Sequence, residues 1–411
     1  MGDKRNSSKR KEISNFKLNS LLDITLAINE NLSTEELLRK YEKLLKDDLD
    51  IGKILIYKFG EKWECILNSG FQKNLNDLDA EKHFASIREI SFISAVPDRF
   101  SDEVDIIIPV FHKDFPIAYV LIGDIDEESE GVSPVIKHLK FIQTLSNIIM
   151  VAIENQRLHL ENLKQVVMKK ELELASRMQT MLIPNNSKLP SNEYISFKSF
   201  YHPHYEVGGD YYDVVLLSED EIGFCIADVS GKGISAAILM SNFQANLRAL
   251  FTKEIPIDLL MKKLNDRVME SANGEKFITI FIAKYNFPQK KLEYINAGHN
   301  PALFYQINEK KLSFLSSGCV GMGMLDELPF INSNSIIIDQ PAKLLCYTDG
   351  LVELIEGDDI DYGYKYIEEE ISNSISIEEN IKEMIVHNKL LEGSTAIFDD
   401  ITILGIQFSG K

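Results

Sequence analysis

The chain has 411 residues, too many for one ordinary hydrophobic core, so we expect two or three domains. Its 63 acidic and 44 basic residues give a net charge of −19, which repels a phosphate backbone and argues against a nucleic-acid-binding protein. No apolar run reaches the roughly 20 residues that span a bilayer, and the four cysteines lie far apart, so we expect a cytoplasmic protein with reduced thiols.

The N-terminal part of the sequence predicts a small α/β domain. The first 15 residues are polar and basic and are expected to form a disordered tail. A helix should begin at Ser33, because Ser33 and Glu36 match a capping box and leucines then recur at helical spacing. Strand-like runs follow at residues 51–59, 63–67, 105–111 and 117–125. Residues 16–157 are therefore expected to form a sensor-like domain.

A long linker helix, assigned to residues 141–184, is expected to close this domain. Residues 141–183 contain neither glycine nor proline, and Pro184 should end the helix after about 64 Å. An apolar stripe follows it through Leu145, Ile149, Ala152, Leu160, Leu163, Val167, Leu174, Met178 and Met181. The stripe either packs on the protein's own domains or forms a dimeric coiled coil. We favour a coiled coil, which the charged Lys170 and imperfect heptads should keep short or weak.

The C-terminal part, residues 190–411, mixes strands with one buried helix. The helix is predicted over residues 234–251, which are almost continuously apolar. Strands are predicted at residues 221–227, 277–285, 292–296, 302–305, 344–347 and 401–408. We therefore expect a second domain of mixed α/β class.

Aspartates recur at the ends of these strands. They are Asp228 in FCIADVSGKG, Asp349 in LLCYTDGLVE, Asp399 and Asp400 before ITILGIQF, and Asp210 and Asp213 in VGGDYYD. Two carboxylates about 4 Å apart repel by about 4 kcal/mol at an effective dielectric near 20, so a cluster of them requires a cation. Oxygen ligands without histidine or cysteine select Mg²⁺ or Mn²⁺. If the strand ends converge, the sequence predicts a hard-metal site.

Two other functions are compatible with part of this pattern. Gly-Gly-Asp also marks enzymes that make cyclic dinucleotides, but those read GGDEF or GGEEF, whereas Tyr211 and Tyr212 follow here. A non-catalytic dimeric signalling scaffold that keeps the fold is the other alternative. The set of acidic residues argues against a scaffold, since a scaffold does not need them.

Five motifs in the second domain resemble, in order and spacing, those of the PPM-type (protein phosphatase 2C-like) serine/threonine phosphatases, and more narrowly the bacterial SpoIIE/RsbU branch. They are Asp210 in VGGDYYD, Asp228 in ADVSGKGISAA, His299 in INAGHNPAL, Asp349 in TDGLVE, and Asp399 with Asp400 in FDDIT. The preceding segment ELELASRMQTMLIP resembles the one that leads into this domain in that branch. Residues 16–157 resemble a GAF sensor domain, at the level of pattern only.

The resemblance implies a four-layer αββα sandwich with two Mn²⁺ or Mg²⁺ ions at one end of its sheets. Asp228 would bridge both ions, and Asp349 and Asp399 would complete one site. The backbone carbonyl of Val229, together with Asp210 partly through water, would serve the other. A metal-bound water would be the nucleophile, which makes Asp228 and Asp349 the expected catalytic residues.

The remaining acidic residues have supporting roles under the same resemblance. Asp400 matches a position that supports the site, and Asp213 and Glu353 are expected to orient the ligands. The general acid is left open, because DVSGKG lacks the histidine of the eukaryotic D-G-H-G motif. Lys232 is expected to be solvated, and His299 is expected to stabilise a turn.

The resemblance also implies a substrate class and a pathway. The substrate would be a phosphoserine or phosphothreonine protein, and within the SpoIIE/RsbU branch an anti-sigma-factor antagonist (STAS-like) of a partner-switching pathway. The N-terminal domain would regulate the phosphatase through the linker helix, in a homodimer formed through that helix.

Overall fold

The computed structural model describes residues 2–71, 83–92, 103–124, 134–316, 318–354, 360–391 and 397–411. The chain divides into two compact units, Met1–Val166 and Val167–Lys411. Within the described ranges, no helix combines the length and the apolar character that crossing a membrane would require.

The N-terminal unit contains one antiparallel sheet of five strands in the order β2-β1-β5-β4-β3. Helix α2 begins as predicted, because the Oγ of Ser33 accepts a hydrogen bond from the Glu36 N–H and the Glu36 carboxylate accepts one from the Ser33 N–H. The elements are α1 (Gly2–Asn29), α2 (Thr34–Lys43), β1 (Lys53–Phe59), β2 (Trp63–Ser69), β3 (Ser91–Phe92), β4 (Ile106–His112) and β5 (Phe115–Gly123).

Residues 2–15 belong to helix α1, which differs from the disordered tail expected from the sequence. No glycine or proline interrupts the chain between Asp3 and Asn29. Once the later part of α1 packs against the sheet through Ile24 and Ala27, each further residue adds a helical hydrogen bond at little cost. The polar composition of the first 15 residues therefore did not predict that helix α1 includes them from Gly2 onward.

Both faces of this sheet are buried. Alternate side chains such as Ile54 and Ile56 face a core that includes helices α1 and α2. Leu55, Tyr57 and Tyr119 point to the opposite face, where they form a separate apolar cluster. The unit therefore has two apolar layers around one sheet.

Helix α3 (Pro134–Thr180) is a single uninterrupted helix of 47 residues, as the sequence predicted in outline. It begins before residue 141 and ends ahead of Pro184. Leu145, Ile149 and Ala152 of the apolar stripe are buried in the core of the N-terminal unit. Leu160, Leu163, Val167, Leu174, Met178 and Met181 are exposed.

The C-terminal unit contains two antiparallel sheets of five strands, ordered β13-β10-β9-β8-β7 and β12-β11-β14-β15-β6. The strands are β6 (Ile195–His202), β7 (Tyr211–Ser218), β8 (Glu221–Val229), β9 (Ile278–Asn286), β10 (Lys291–Ala297), β11 (Ala302–Gln306), β12 (Lys311–Leu315), β13 (Asn334–Ile337), β14 (Ala342–Tyr347) and β15 (Ile401–Phe408). The helices are α4 (Ile234–Leu250), α5 (Ile257–Ala272), α6 (Ile360–Ile371) and α7 (Ile377–His387).

The two sheets stack face to face between two helical layers. Aromatic contacts join the sheets, with the ring centroids of Tyr285 and Phe408 5.0 Å apart and those of Phe197 and Phe224 5.6 Å apart. Helices α4 and α5 share the core of the first sheet, and α6 and α7 cover the outer face of the second. This is the four-layer αββα sandwich that the sequence predicted.

Candidate active site

Aspartates from four strand ends meet at one end of the sandwich. Asp210 immediately precedes β7 and Asp228 lies near the end of β8, both in the first sheet. Asp349 follows β14 and Asp399 precedes β15, both in the second sheet. Burial raises the pKa of Asp228 to about 7, and the negative charges of Asp349, Asp399 and Asp400 add to the rise. The carboxylates are therefore close enough to repel one another.

A cavity of about 280 Å³ opens beside these carboxylates. Asp228, Asp349 and Asp399 all line it, as does Val229. Its other lining residues are Ser230, Gly231, Phe277, Thr279, Gly298, His299 and Asn300. The cavity thus joins three predicted metal-binding carboxylates in a single space.

Asp210 is buried and held by two threonines that the sequence analysis did not identify. The Oγ1 of Thr348 donates to Asp210 Oδ2 over 2.8 Å, and the Oγ1 of Thr402 donates over 2.6 Å. The pKa of Asp210 is raised, first by burial and then by the charges of Asp228 and Asp400, while the two threonine bonds act in the opposite direction. The carboxylate is thus fixed in orientation from the second sheet.

Asp400 supports the loop that carries Asp210. Its Oδ1 accepts a hydrogen bond from the backbone N–H of His204 at 2.7 Å, and its Oδ2 accepts one from Gly209 at 2.6 Å. A Cβ at Gly208 would lie 2.5 Å from Asp400 Oδ2, so only glycine permits this approach. Both carboxylate oxygens are committed to backbone amides, which suits a supporting residue better than a metal ligand.

The side chain of Gln179, near the end of helix α3, forms hydrogen bonds with the same loop. Its Nε2 donates to the carbonyl of Gly208 at 2.7 Å, and its Oε1 accepts from the Gly208 N–H at 3.1 Å. The side chain is buried. Gln179 lies 29 positions from Gly208 in the sequence, so no local pattern identifies this contact.

Asp399 pairs with Lys232, which is exposed to solvent as expected. The Nζ of Lys232 lies 2.8 Å from Asp399 Oδ2 and also donates to the Phe398 carbonyl. The pKa of Glu353 is raised first by burial and then by the negative charges of Asp349 and Asp399, so Glu353 lies near the same group of carboxylates. Lys232 therefore offsets part of the negative charge at this side of the cavity.

Asp213 has contacts of a different kind. Its fully buried carboxylate accepts two hydrogen bonds of 2.6 Å from the guanidinium of Arg248 and one from the hydroxyl of Tyr211. The pair joins strand β7 to helix α4. An orienting role toward the metal ligands stays a prediction for this residue.

His299 stabilises a turn, as expected from its position before Pro301. Its backbone N–H donates to Asn296 Oδ1 at 2.8 Å, and its Nδ1 lies 2.9 Å from Thr279 Oγ1. Burial lowers the pKa of the imidazole to about 4, against a smaller opposing effect of the Tyr347 carbonyl. The ring is therefore neutral at pH 7.

The donor set suits a hard divalent cation. Within the described ranges, no group of three His, Cys, Asp or Glu side chains stands as a ready-made metal site. The acidic donors that meet here are nevertheless all oxygens, and the pKa values of Asp210 and Asp228 are raised first by burial and then by repulsion from neighbouring carboxylates. A bound divalent cation would reverse that repulsion and favour the ionised carboxylates.

Comparisons with known proteins agree with this fold. Residues 218–409 match the family described as Stage II sporulation protein E (SpoIIE). The chain is 27% identical over 247 residues to phosphoserine phosphatase RsbU of Bacillus subtilis (strain 168), covering 58% of this chain and 70% of RsbU. It is 26% identical over 275 residues to protein IcfG of Synechocystis sp., covering 60% of this chain and 43% of IcfG, less than half of that relative's length.

A solved structure supports the fold. The SiaA-PP2C domain of Pseudomonas aeruginosa superposes with a TM-score of 0.51 at 16% identity, covering 60% of this chain and 99% of that domain. At this identity the likeness concerns the fold alone. Residues 218–409 are therefore similar in sequence to the SpoIIE family, and the chain is similar in fold to a PP2C domain.

Proposed function

We propose that this chain is a metal-dependent protein serine/threonine phosphatase that hydrolyses phosphoserine and phosphothreonine. The observation that carries the proposal is the meeting of Asp228, Asp349 and Asp399, from both sheets, at one cavity. A cluster of partly buried, mutually repelling carboxylates has no structural advantage, whereas it suits the binding of two divalent cations. The name phosphoserine phosphatase of the relative RsbU agrees with this reaction class.

Each residue of the cluster has a part in the proposed site. Asp228 would contact both ions, Asp349 and Asp399 would complete one site, and the Val229 carbonyl and Asp210 would serve the other. Bound Mn²⁺ or Mg²⁺ would neutralise phosphoryl charge and lower the pKa of a water molecule. Thr348 and Thr402 would keep Asp210 in its orientation, and the Lys232 ammonium would limit repulsion of the dianionic substrate.

Turnover of p-nitrophenyl phosphate and of a phosphoserine peptide tests the proposal. We expect turnover with Mn²⁺, its loss on chelation, and a decrease of at least about 100-fold in Asp228→Asn and Asp349→Asn, because each change removes a carboxylate from the cation site. Asp339→Asn is the matched control, since Asp339 is an exposed carboxylate of the same unit. Turnover that persists in chelator, or in both cavity variants, would refute the proposal.

Regulation is a further part of the proposal. The N-terminal unit would act as a GAF-like sensor domain, and helix α3 would transmit its state. Helix α4 begins at Ile234, shortly after Asp228 in the chain, so a displacement of α4 would move a metal ligand. A polar residue at Leu174 or Met178, both exposed on α3, should then change turnover more than the stability of the metal-free protein.

The proposed substrate is a phosphorylated anti-sigma-factor antagonist of a partner-switching pathway, and the proposed assembly is a homodimer formed through α3. Phosphoproteins from the same cell can be incubated with the protein and Mn²⁺ and then compared by quantitative phosphoproteomics. Selective loss of phosphate from a STAS-like protein would support the assignment. Loss confined to unrelated phosphoproteins would refute the assignment of the substrate and leave the reaction class in place.

A further inference from the structure

Part of the lining of the cavity beside the aspartates consists of uncharged residues. The turn between β10 and β11 supplies Gly298, His299 and Asn300, and strand β9 supplies Thr279. The same cavity is lined by the carboxylates of Asp228, Asp349 and Asp399, which can only accept hydrogen bonds when ionised, and Asp228 is the cross-strand neighbour of Thr279. Neutral donors and acidic groups therefore share one space.

The turn between β10 and β11 is stabilised by hydrogen bonds of the Asn296 side chain, which is fully buried. Its Oδ1 accepts from the His299 N–H at 2.8 Å, while its Nδ2 donates to the carbonyls of Asn300 at 3.3 Å and Leu315 at 3.2 Å. Gly298 has a φ of +66°, which other residues rarely adopt. The backbone of Asn300 is thereby fixed before any ligand arrives.

The side chain of Asn300 does not share in this network. Its Nδ2 is buried and has no hydrogen-bond partner within the described ranges. A buried amide N–H without a partner costs about 1–3 kcal/mol, so such a group usually serves a ligand or a water molecule. Asn300 lines the same cavity as the three carboxylates, which places a neutral donor next to the proposed reaction site.

We propose that Asn300 is a phosphoryl-binding residue whose Nδ2 donates a hydrogen bond to a non-bridging oxygen of the substrate phosphate. The inference rests on the proposed phosphatase function. A phosphomonoester has three non-bridging oxygens, and cations held by the carboxylates leave room for a further donor to at least one of them. Asn300 lines the same cavity, and the fixed backbone of its turn requires no reorganisation during the reaction.

The proposed role leaves the balance of the reaction unchanged. The oxygen of water forms a bond to phosphorus, the ester P–O bond breaks, and the proton that the water loses ends on the leaving alkoxide. Asn300 keeps both amide protons throughout and contributes only a hydrogen bond that strengthens as charge moves onto the phosphoryl oxygens. Inorganic phosphate, the product, presents the same oxygens and serves as a probe of the ground-state contact.

Steady-state turnover of p-nitrophenyl phosphate, inhibition by inorganic phosphate and Mn²⁺ binding by calorimetry test the proposal. We expect Asn300→Ala to lower kcat/KM by about 10- to 100-fold, the usual effect of losing one hydrogen bond to a charged group. Phosphate inhibition should weaken as well, with Mn²⁺ affinity and thermal unfolding within about twofold and a few degrees of the wild type. Asn308→Ala is the matched control, because Asn308 is exposed outside the cavity.

A second variant tests the hydrogen-bond donor of Asn300 separately from the size of its side chain. Asn300→Asp keeps the size of the side chain but replaces the donor by an acceptor, so it should reduce turnover and phosphate inhibition at least as much as alanine. It also decides the matter if the alanine variant fails to fold.

Two results would overturn the inference. The first is turnover and phosphate inhibition in both Asn300 variants within twofold of the control. The second is a loss of Mn²⁺ affinity that accounts for the whole decrease in turnover, since Asn300 would then support the cations instead. A wild-type protein without turnover would refute the proposed function and this inference together, whereas an active wild type with unaffected variants would refute the inference alone.

Discussion

Replacing Gln179 by alanine tests how strongly the end of helix α3 controls the loop that carries Asp210. The substitution removes both hydrogen bonds to Gly208, of 2.7 and 3.1 Å, and leaves a buried backbone N–H and carbonyl without these partners. A hydrogen bond between neutral groups contributes about 0.5–1.5 kcal/mol, so the two together contribute about 1–3 kcal/mol.

We expect the loss of these two hydrogen bonds to reduce the affinity for Mn²⁺ more clearly than it reduces the free energy of unfolding. If about 1.4 kcal/mol of their contribution falls on the placement of Asp210, Mn²⁺ binds about tenfold more weakly. Calorimetric titration with Mn²⁺ measures that affinity, and urea unfolding of the chelated protein measures stability. Gln179→Glu should lie between alanine and the wild type, because a carboxylate still accepts from the Gly208 N–H but donates nothing to its carbonyl.

Thr180→Ala is the control, because Thr180 is the exposed neighbour at the end of the same helix. We expect no change in Mn²⁺ affinity for Thr180→Ala. Reduced stability of Gln179→Ala with unchanged Mn²⁺ affinity would refute the prediction, since Gln179 would then be a contact of the fold with no influence on the site.

Three further predictions concern charge, packing and assembly. The pKa of Asp228 is raised from its ordinary value of 3.8 to about 7, so the folded protein retains a proton that the unfolded chain has lost between these values. The stability of the metal-free protein should fall from about pH 4 to pH 7, and urea unfolding of Asp228→Asn should lack that part of the decrease. Arg248→Met should destabilise the protein by about 3 kcal/mol in the same assay, because it leaves the buried Asp213 unpaired, and adding Asp213→Asn should recover part of the loss. Glutamate at both Leu163 and Leu174 should convert the proposed dimer to a monomer in sedimentation-velocity experiments; a wild type that is already monomeric would refute the coiled-coil interpretation.

The apolar runs of the second domain are strong enough to predict its mixed α/β class, whereas the four-layer sandwich was implied by the resemblance of the motifs to the PPM-type phosphatases. Each strand predicted there appears in the structure, and the helix predicted over 234–251 appears as Ile234–Leu250. Strand β7 was missed because its first four residues are all buried, so it shows no alternation. Strand β13 was missed for the opposite reason, since an edge strand with mostly exposed residues has little apolar signal. The start of helix α7 is visible in the sequence as the Ser376–Glu379 capping box, although no helix was predicted there.

At the site, the sequence supplied the acidic residues but not their surroundings. Aspartates after apolar strands stand out in the sequence, and three of them line one cavity. The partners of Asp210 do not stand out, because Thr348 and Thr402 resemble ordinary strand threonines until the two sheets are stacked. The need for glycine at position 208 does not stand out either, because it arises from the close approach of Asp400.

The division of the aspartates between two sheets has a consequence for folding kinetics. Asp210 and Asp228 belong to the first sheet, whereas Asp349 and Asp399 come from the second, more than a hundred residues further along the chain. A partly folded chain with only one sheet therefore lacks the binding site. Divalent cations should accordingly leave the refolding rate almost unchanged and slow unfolding, because they stabilise contacts that form only after the transition state. Occupied protein would then resist proteolysis through a slower loss of the native state.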